Sequence, residues 1–182
     1  MRFFSFLLLA LPTAIRADYQ TVLDDIDSIS TQLASLTESV DAVAPGIPGL
    51  SPALQVQVDA TTLDKEIVAG ASHAADSPPF ANGSLQVGLA LIALQPTITD
   101  ALGQISEKNT TFGELGIIVL ASLTQLKRNT DAFAEEIVPK LGALEAALAP
   151  GVIKAIDGAF DGAIAAALNA IVVELAGFVV MY

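Results

Sequence analysis

The clearest pattern in the sequence is an apolar stripe that begins shortly after Asp18. Seven aliphatic residues follow one another at spacings of four and three, which places them on one face of a helix. Asp18 can cap the start of this helix, and the proline- and glycine-rich segment 45–49 ends it. The pattern therefore predicts a long amphipathic first helix. Its apolar positions are Val22, Ile26, Ile29, Leu33, Leu36, Val40 and Val43.

Helical spacing of apolar residues continues through the rest of the chain, interrupted by proline, glycine and polar residues. Ser51 and Pro52 suit the start of a second helix, because serine caps helices and proline fits their first turn. No segment alternates apolar and polar residues convincingly in the way that a half-buried strand does. The predicted segments after the first helix are 51–75, 84–107, 112–138, a short piece between Pro139 and Pro150, and 152–182.

These segments predict an all-α bundle of five or six helices in a single domain, 18–182. Pro96 lies inside the third helix and removes a backbone hydrogen bond, so we expect a kink there. The final segment is apolar enough to suggest a membrane anchor, but it contains Asn169 and Glu174. Because a charge at the centre of a membrane helix costs about 2.5–3.5 kcal/mol, we predict a buried final helix and not a transmembrane protein.

The segment 1–17 has the pattern of a secretory signal peptide. Arg2 supplies a positive start, an apolar run extends to Leu11, and Ala17 is a small residue after which signal peptidase could cut. The apolar run is too short to cross a bilayer. The sequence therefore predicts secretion and a mature chain that begins at Asp18.

Composition excludes several classes of function. The 20 acidic residues outnumber the 8 basic ones, so the clustered cations that nucleic acids require are missing. The chain has no cysteine, which excludes thiol catalysis, cysteine zinc sites and disulfides. His73 is the only histidine, and neither a nucleophile elbow nor a phosphate-binding glycine loop occurs. The sequence therefore predicts no catalytic residue, no metal site and no cofactor.

Two glycosylation sequons lie where the hydrophobic pattern breaks. Asn82-Gly83-Ser84 and Asn109-Thr110-Thr111 both have the form Asn-x-Ser/Thr. Because both fall between predicted helices, on segments expected at the surface, the sequence predicts that Asn82 and Asn109 accept N-linked glycans.

The mature start of the chain resembles a known family. The segment 18–26, DYQTVLDDI, opens the long first stripe, a proline- and glycine-rich loop follows, and cysteine-free helices rich in Ala, Leu and Val continue from there. This arrangement, from about Asp18 to Gly158, resembles the fungal hydrophobic surface-binding protein A family, which is similar to the cell-wall galactomannoproteins. Some members carry a stalk rich in serine and threonine with a lipid-anchor signal. No such stalk occurs here, which favours free secretion over wall attachment.

The resemblance implies binding without catalysis. Members adsorb to hydrophobic solids and recruit a polyester- or lipid-degrading hydrolase, or they enclose fatty acids within the helical bundle. We therefore expect a secreted protein that binds a hydrophobic surface or a fatty acid, with a secreted polyester or lipid hydrolase as a further partner. The alternatives are a structural cell-wall mannoprotein without a ligand and, with the least support, an enzyme.

The residue types in the helices allow a channel for an alkyl chain. Small residues in the segment 162–167 permit close approach of helices, and a kink at Pro96 could leave space between them. A close-packed core explains the pattern alone more simply, whereas the resemblance favours the channel. The candidates for lining it are Ile92, Leu123, Phe133, Ile156 and Phe160.

We predict that extracellular protein begins at Asp18, because the residues before it form a complete signal pattern. N-terminal sequencing of protein collected from the culture medium tests this. Extracellular protein that begins at Met1 would contradict it.

Overall fold

The computed structural model describes residues 18–180, so the predicted signal peptide lies outside the described residues. Five α-helices make up most of this part of the chain, which contains no strand. Short 3₁₀ turns lie in the connections on either side of α3 and between the last two helices. The helices are α1 (Tyr19–Asp41), α2 (Ile47–Asp76), α3 (Ser84–Glu107), α4 (Gly116–Ile137) and α5 (Ala143–Val180). The prediction of an all-α bundle is confirmed.

The first helix forms as its apolar stripe predicts. The Asp18 carboxylate accepts hydrogen bonds from the backbone N–H groups of Gln20 and Thr21, at 3.0 and 3.1 Å between N and Oδ1. It thereby caps the first turn of the helix. Every residue of the predicted stripe, from Val22 to Val43, is buried. The first helix therefore supplies one apolar wall of the core and leaves its acidic face to solvent.

Two prolines lie inside helices where the sequence pattern indicates a boundary. The second helix begins at Ile47, ahead of the predicted start, and continues through Pro52. The last helix runs unbroken through Pro150, so the predicted short piece and final segment form one helix of 38 residues. Because Pro150 is exposed, the carbonyl that its missing N–H leaves unpaired can bond to water. The described residues therefore contain five α-helices and not six.

The five helices form a closed ring in which each helix packs against two neighbours. The order around the ring is α1, α2, α4, α5 and α3, with α3 returning to α1. Hydrogen-bonded pairs show that α1 and α2 are antiparallel, that α2 and α4 are parallel, and that α3 and α5 are parallel. These pairs are His73 with Asp25, Ser39 with Asp59, Gln57 with Ser122, Asn129 with Asp64, Ser84 with Glu145, and Asn109 with the Ala166 carbonyl.

A ring of five helices has a wider axis than a four-helix bundle. Neighbouring helix axes pack about 8–10 Å apart, so each axis lies about 8 Å from the centre of a regular five-membered ring, against about 6 Å in a square. Long side chains must therefore fill the middle. Phe133 from α4 and Phe160 from α5 do so, together with Leu and Ile side chains from the other three helices.

The third and fifth helices are the most apolar of the five. By length and composition alone, the regions Ala81–Glu107 and Ala143–Glu174 could cross a membrane. In this fold both helices contribute to the core, for example through Ile98 and Phe160. The same composition leaves many of their aliphatic side chains exposed.

We predict that Gly49→Ala destabilises the fold by more than about 2 kcal/mol, because a Cβ at Gly49 would lie 1.6 Å from the backbone oxygen of Ala44. The control is Gly103→Ala, whose Cβ would enter open space and should stabilise α3 by about 0.5–1 kcal/mol. Urea denaturation measures both changes. Equal stability of the two variants would contradict the close approach at Gly49.

Candidate functional site

An apolar groove lies between α3, α4 and α5, in the half of the bundle that contains the start of α5. It encloses about 70 Å³ and opens at the seam between α3 and α5, where the lining residues Ile92 and Leu148 are exposed. Among its described lining residues, Thr130 and Glu145 have polar side chains. The remainder are aliphatic residues, alanine, glycine and Phe133. The groove therefore offers an almost entirely apolar surface.

A second apolar space of about 30 Å³ lies at the bundle axis. All five helices line it, through residues that include Ile29, Leu63, Leu102, Leu126 and Phe160. Four side chains line both this axial space and the groove, so the two spaces are adjacent and are divided only by side chains. The four shared residues are Leu94, Ile98, Thr130 and Phe133.

The two spaces are too small for a long alkyl chain in this closed conformation. Their volumes, about 70 and 30 Å³, fall below the roughly 150 Å³ of a cavity that holds one benzene molecule. A chain could be accommodated only if helices separate or if the dividing side chains change rotamer. Either movement would join the groove and the axial space into one channel.

The third helix is the wall held least firmly along its length. Within the described residues, the hydrogen bonds that join α3 to other helices lie near its two ends. Ser84 donates to Glu145 Oε2 at 3.0 Å, and Lys108, directly after the helix, donates to the Asp41 carbonyl at the end of α1 at 3.1 Å. Between them, Pro96 removes a backbone hydrogen bond of α3 itself. The middle of α3 is therefore the part of the ring best able to move.

The seam between α3 and α5 is surrounded by exposed aliphatic side chains. The segments 85–99 and 146–153 contain no ionisable residue. We call the surface they form the α3–α5 face, and its exposed side chains are Leu85, Leu89, Ile92, Leu144 and Leu148. A second exposed group lies towards the opposite end of the bundle and includes Ile47, Leu50, Leu54, Ile117, Ile118, Leu168 and Val172. Only the α3–α5 face adjoins the groove.

Four of the five residues predicted to line a lipid site lie around these spaces. Ile92, Phe133 and Ile156 line the groove, and Phe133 and Phe160 line the axial space. Leu123 is buried in α4, but it lines neither space. The structure therefore brings together residues from α3, α4 and α5 and leaves Leu123 in another part of the core.

The two predicted glycan acceptors differ in their surroundings. Asn82 is exposed in the 3₁₀ turn before α3. Asn109 is half-buried, and its Nδ2 donates to the Ala166 carbonyl at 3.0 Å. A glycan at Asn109 must keep or replace that contact, whereas Asn82 projects freely. Both remain predicted acceptors.

Sequence reasoning missed Glu145, the ionisable residue of the groove. Its side chain packs against Gly88 so closely that a Cβ there would lie 2.8 Å from Glu145 Cγ. The Ser84 hydroxyl holds Oε2 and also accepts a hydrogen bond from the Gly142 N–H. A signal was available: Glu145 is the single ionisable residue in the segment 141–153, at helical spacing from Ala149 and other groove residues.

Two carboxyl groups lie behind the groove wall, on α4 and α5. Ala134 and Ile153 line the groove on one side and the surface depression of Asp131 and Asp157 on the other. Burial raises the pKa of Asp131, and the neighbouring Asp157 raises that pKa further. Asp131 therefore loses its proton less readily than an exposed aspartate.

The described residues offer no arrangement for catalysis or metal binding. His73 Nδ1 lies 2.9 Å from Asp25 Oδ2, and this pair joins α2 to α1 away from the groove. Residues 18–180 contain no group of three or more His, Asp or Glu side chains that could hold a metal ion. The apolar groove is the feature of this region best suited to binding a ligand.

The sequence model of one family, hydrophobic surface binding protein A, matches residues 19–139. This match covers α1 to α4. The chain belongs to this family. The family resemblance seen in the sequence is thereby confirmed, and family membership assigns the chain to a class of proteins that bind hydrophobic material. No match to a curated protein sequence was found.

Solved structures with the same fold contain bound fatty acids. Afmp4p in complex with palmitic acid is 27% identical, with a TM-score of 0.78 over 82% of this chain and 99% of Afmp4p. Ligand binding domain 1 of the Penicillium marneffei MP1 protein, complexed with arachidonic acids, is 18% identical, with a TM-score of 0.72 over 82% of this chain and 95% of that domain. Ligand binding domain 2 of MP1, also with arachidonic acids, covers 88% of this chain at 18% identity and a TM-score of 0.72.

We predict that Asp131→Asn stabilises the protein at pH 7 but not at pH 3. A raised pKa means that the folded state binds more protons than the unfolded state between the two pKa values, so wild-type stability falls as pH rises through that interval and stays lowered above it. Asparagine removes this loss. Urea midpoints at both pH values test the effect, with Glu136→Gln as an exposed control of the same charge change. Equal gains in both variants at pH 7 would show a general charge effect instead.

Proposed function

We propose that this chain is a secreted, non-catalytic protein that binds long-chain lipids inside its bundle and adsorbs to hydrophobic surfaces through the α3–α5 face. The observation that carries the proposal is the apolar groove, which adjoins both an exposed aliphatic face and the axial space. The fatty acids bound by Afmp4p and by the MP1 domains support the same ligand chemistry.

An alkyl chain would occupy the channel that forms when α3 moves away from the axis. Its proposed contacts are Ile92 and Ile156 in the groove, and Phe133 and Phe160 toward the axis. Each methylene removed from water contributes about 0.8 kcal/mol before the costs of ordering the chain and the protein. A long chain can therefore offset the cost of separating helices whose central contacts in α3 are apolar.

Adsorption through the α3–α5 face would leave the charged sides of the bundle in solution. The helices α1 and α2 contain nine acidic residues and a single lysine, Lys65. This acidic side would keep the adsorbed protein hydrated, since charge disfavours burial against an apolar solid. A secreted polyester or lipid hydrolase, the partner implied by the family resemblance, would approach the adsorbed protein from this side.

We predict that the wild-type protein binds saturated alcohols and acids from decyl to hexadecyl, with affinity that rises up to about fourfold per added methylene. Ile92→Asp, at the groove mouth, should weaken binding at least about tenfold because the new carboxylate must be desolvated. Isothermal titration calorimetry at several temperatures measures the affinity and the negative heat-capacity change expected from apolar burial.

The matched control is Ile118→Asp, because Ile118 and Ile92 are both 41% exposed and both lie on helices. Depletion of protein from solution by hydrophobic beads tests adsorption with the same two variants. We expect Ile92→Asp to reduce both activities and Ile118→Asp to reduce neither. Absence of lipid binding and of bead depletion in the wild type would favour a structural cell-wall mannoprotein without a ligand.

A further inference from the structure

The groove contains a negative charge at the position where a lipid head group would lie. Glu145 is the one ionisable residue among the described residues that line it, and the axial space is lined by uncharged residues alone. Glu145 lies beside the exposed end of the seam, one turn from Leu148. A chain that enters tail first would therefore leave its head group beside this carboxylate.

The carboxylate is fixed in place and cannot easily turn away from the groove. Ser84 donates to Oε2, and the Ser84 oxygen itself accepts from the Gly142 N–H. On the other side, Gly88 allows the Glu145 side chain to pack directly against α3. With Oε2 engaged by Ser84, Oε1 is the oxygen that could accept a hydrogen bond from a ligand.

The nearest lysines in sequence do not neutralise Glu145 in this structure. Lys140 donates from Nζ to the carbonyls of Ala75 and Ser77, and thereby binds the end of α2. Lys154 is exposed on α5, more than two helical turns beyond Glu145. The salt bridge formed by Lys127 is with Asp161, on the α4–α5 side of the bundle.

We propose that Glu145 makes the groove select long chains with an uncharged, hydroxyl-bearing head group over fatty-acid anions. A fatty alcohol or a monoacylglycerol can donate its hydroxyl hydrogen to Oε1, whereas a carboxylate offers only acceptor oxygens and carries a like charge. Glu145 is thus a specificity residue for the lipid site. This inference rests on the proposed function, because it concerns the head group of a chain bound in that same groove.

The test compares dodecanol, monolaurin and laurate, which carry twelve-carbon chains, so that differences in affinity report the head group. Each ligand displaces the uncharged fluorescent probe N-phenyl-1-naphthylamine from the wild-type protein at pH 8. We expect dodecanol or monolaurin to bind at least about tenfold more tightly than laurate, since like charges at close range in a partly desolvated site repel strongly.

Glu145→Gln should raise the affinity for laurate about tenfold and leave that for dodecanol within about twofold, because the amide oxygen still accepts a hydroxyl hydrogen. Glu136→Gln, at an exposed position on α4, is the control for net charge. Laurate affinity that rises equally in both variants would overturn the inference. So would laurate binding as tight as that of dodecanol in the wild type, a comparison that needs no variant to fold.

A further variant, Lys154→Gln, tests the other possible location of the head group. Tight laurate binding in the wild type that is lost in Lys154→Gln would place the carboxylate beside Lys154 and would overturn the inference while leaving lipid binding intact. If no twelve-carbon ligand binds the wild type at all, the proposed lipid binding fails together with the head-group inference. The two failures are therefore distinguishable.

Discussion

The closed ring of five helices determines most of what this molecule can do. Each helix packs on two neighbours, and the axis of the ring is too far from any backbone to be filled by small side chains. Phe133 and Phe160 reach inward, yet an axial space of about 30 Å³ and a groove of about 70 Å³ remain. Imperfect filling costs stability, because unfilled space forfeits dispersion contacts. The same imperfect filling is what allows a ring of otherwise ordinary helices to exchange internal contacts for contacts with an alkyl chain.

Polar contacts divide this ring into a firm part and a compliant part. The pairs Asp25–His73 and Asp64–Asn129 join α1, α2 and α4 between their ends, and the directional hydrogen bonds resist sliding and separation. The contacts of α3 with its neighbours are apolar over most of its length. Apolar contacts are not directional, so they can be replaced by contacts with an apolar ligand at little net cost. The absence of polar groups from the middle of α3 is thus consistent with the same feature serving stability and ligand access.

The sequence predicted the elements that depend on local pattern and missed features that depend on tertiary contacts. The stripe from Val22 to Val43 predicted α1 because period and capping are local properties. Pro150 was expected to end a helix, but its exposure to solvent tolerates the missing bond, and exposure is decided by packing. Leu123 and Phe133 look alike in the sequence, yet only Phe133 lines the groove. Which side of α4 faces α5 depends on the ring order, and no spacing within α4 encodes that order.

The distribution of charge explains how so apolar a chain can carry an open apolar site. With a formal net charge of −12, the molecules repel one another in solution, and this repulsion limits self-association through exposed aliphatic patches. The charges are concentrated away from the α3–α5 face, so contact with an uncharged surface does not require their desolvation. Glu145 is the exception, and Ser84 together with the neighbouring helix holds it at the edge of the groove. A carboxylate retained there has a desolvation cost that an apolar residue would avoid, which is understandable if it contributes to the choice of ligand.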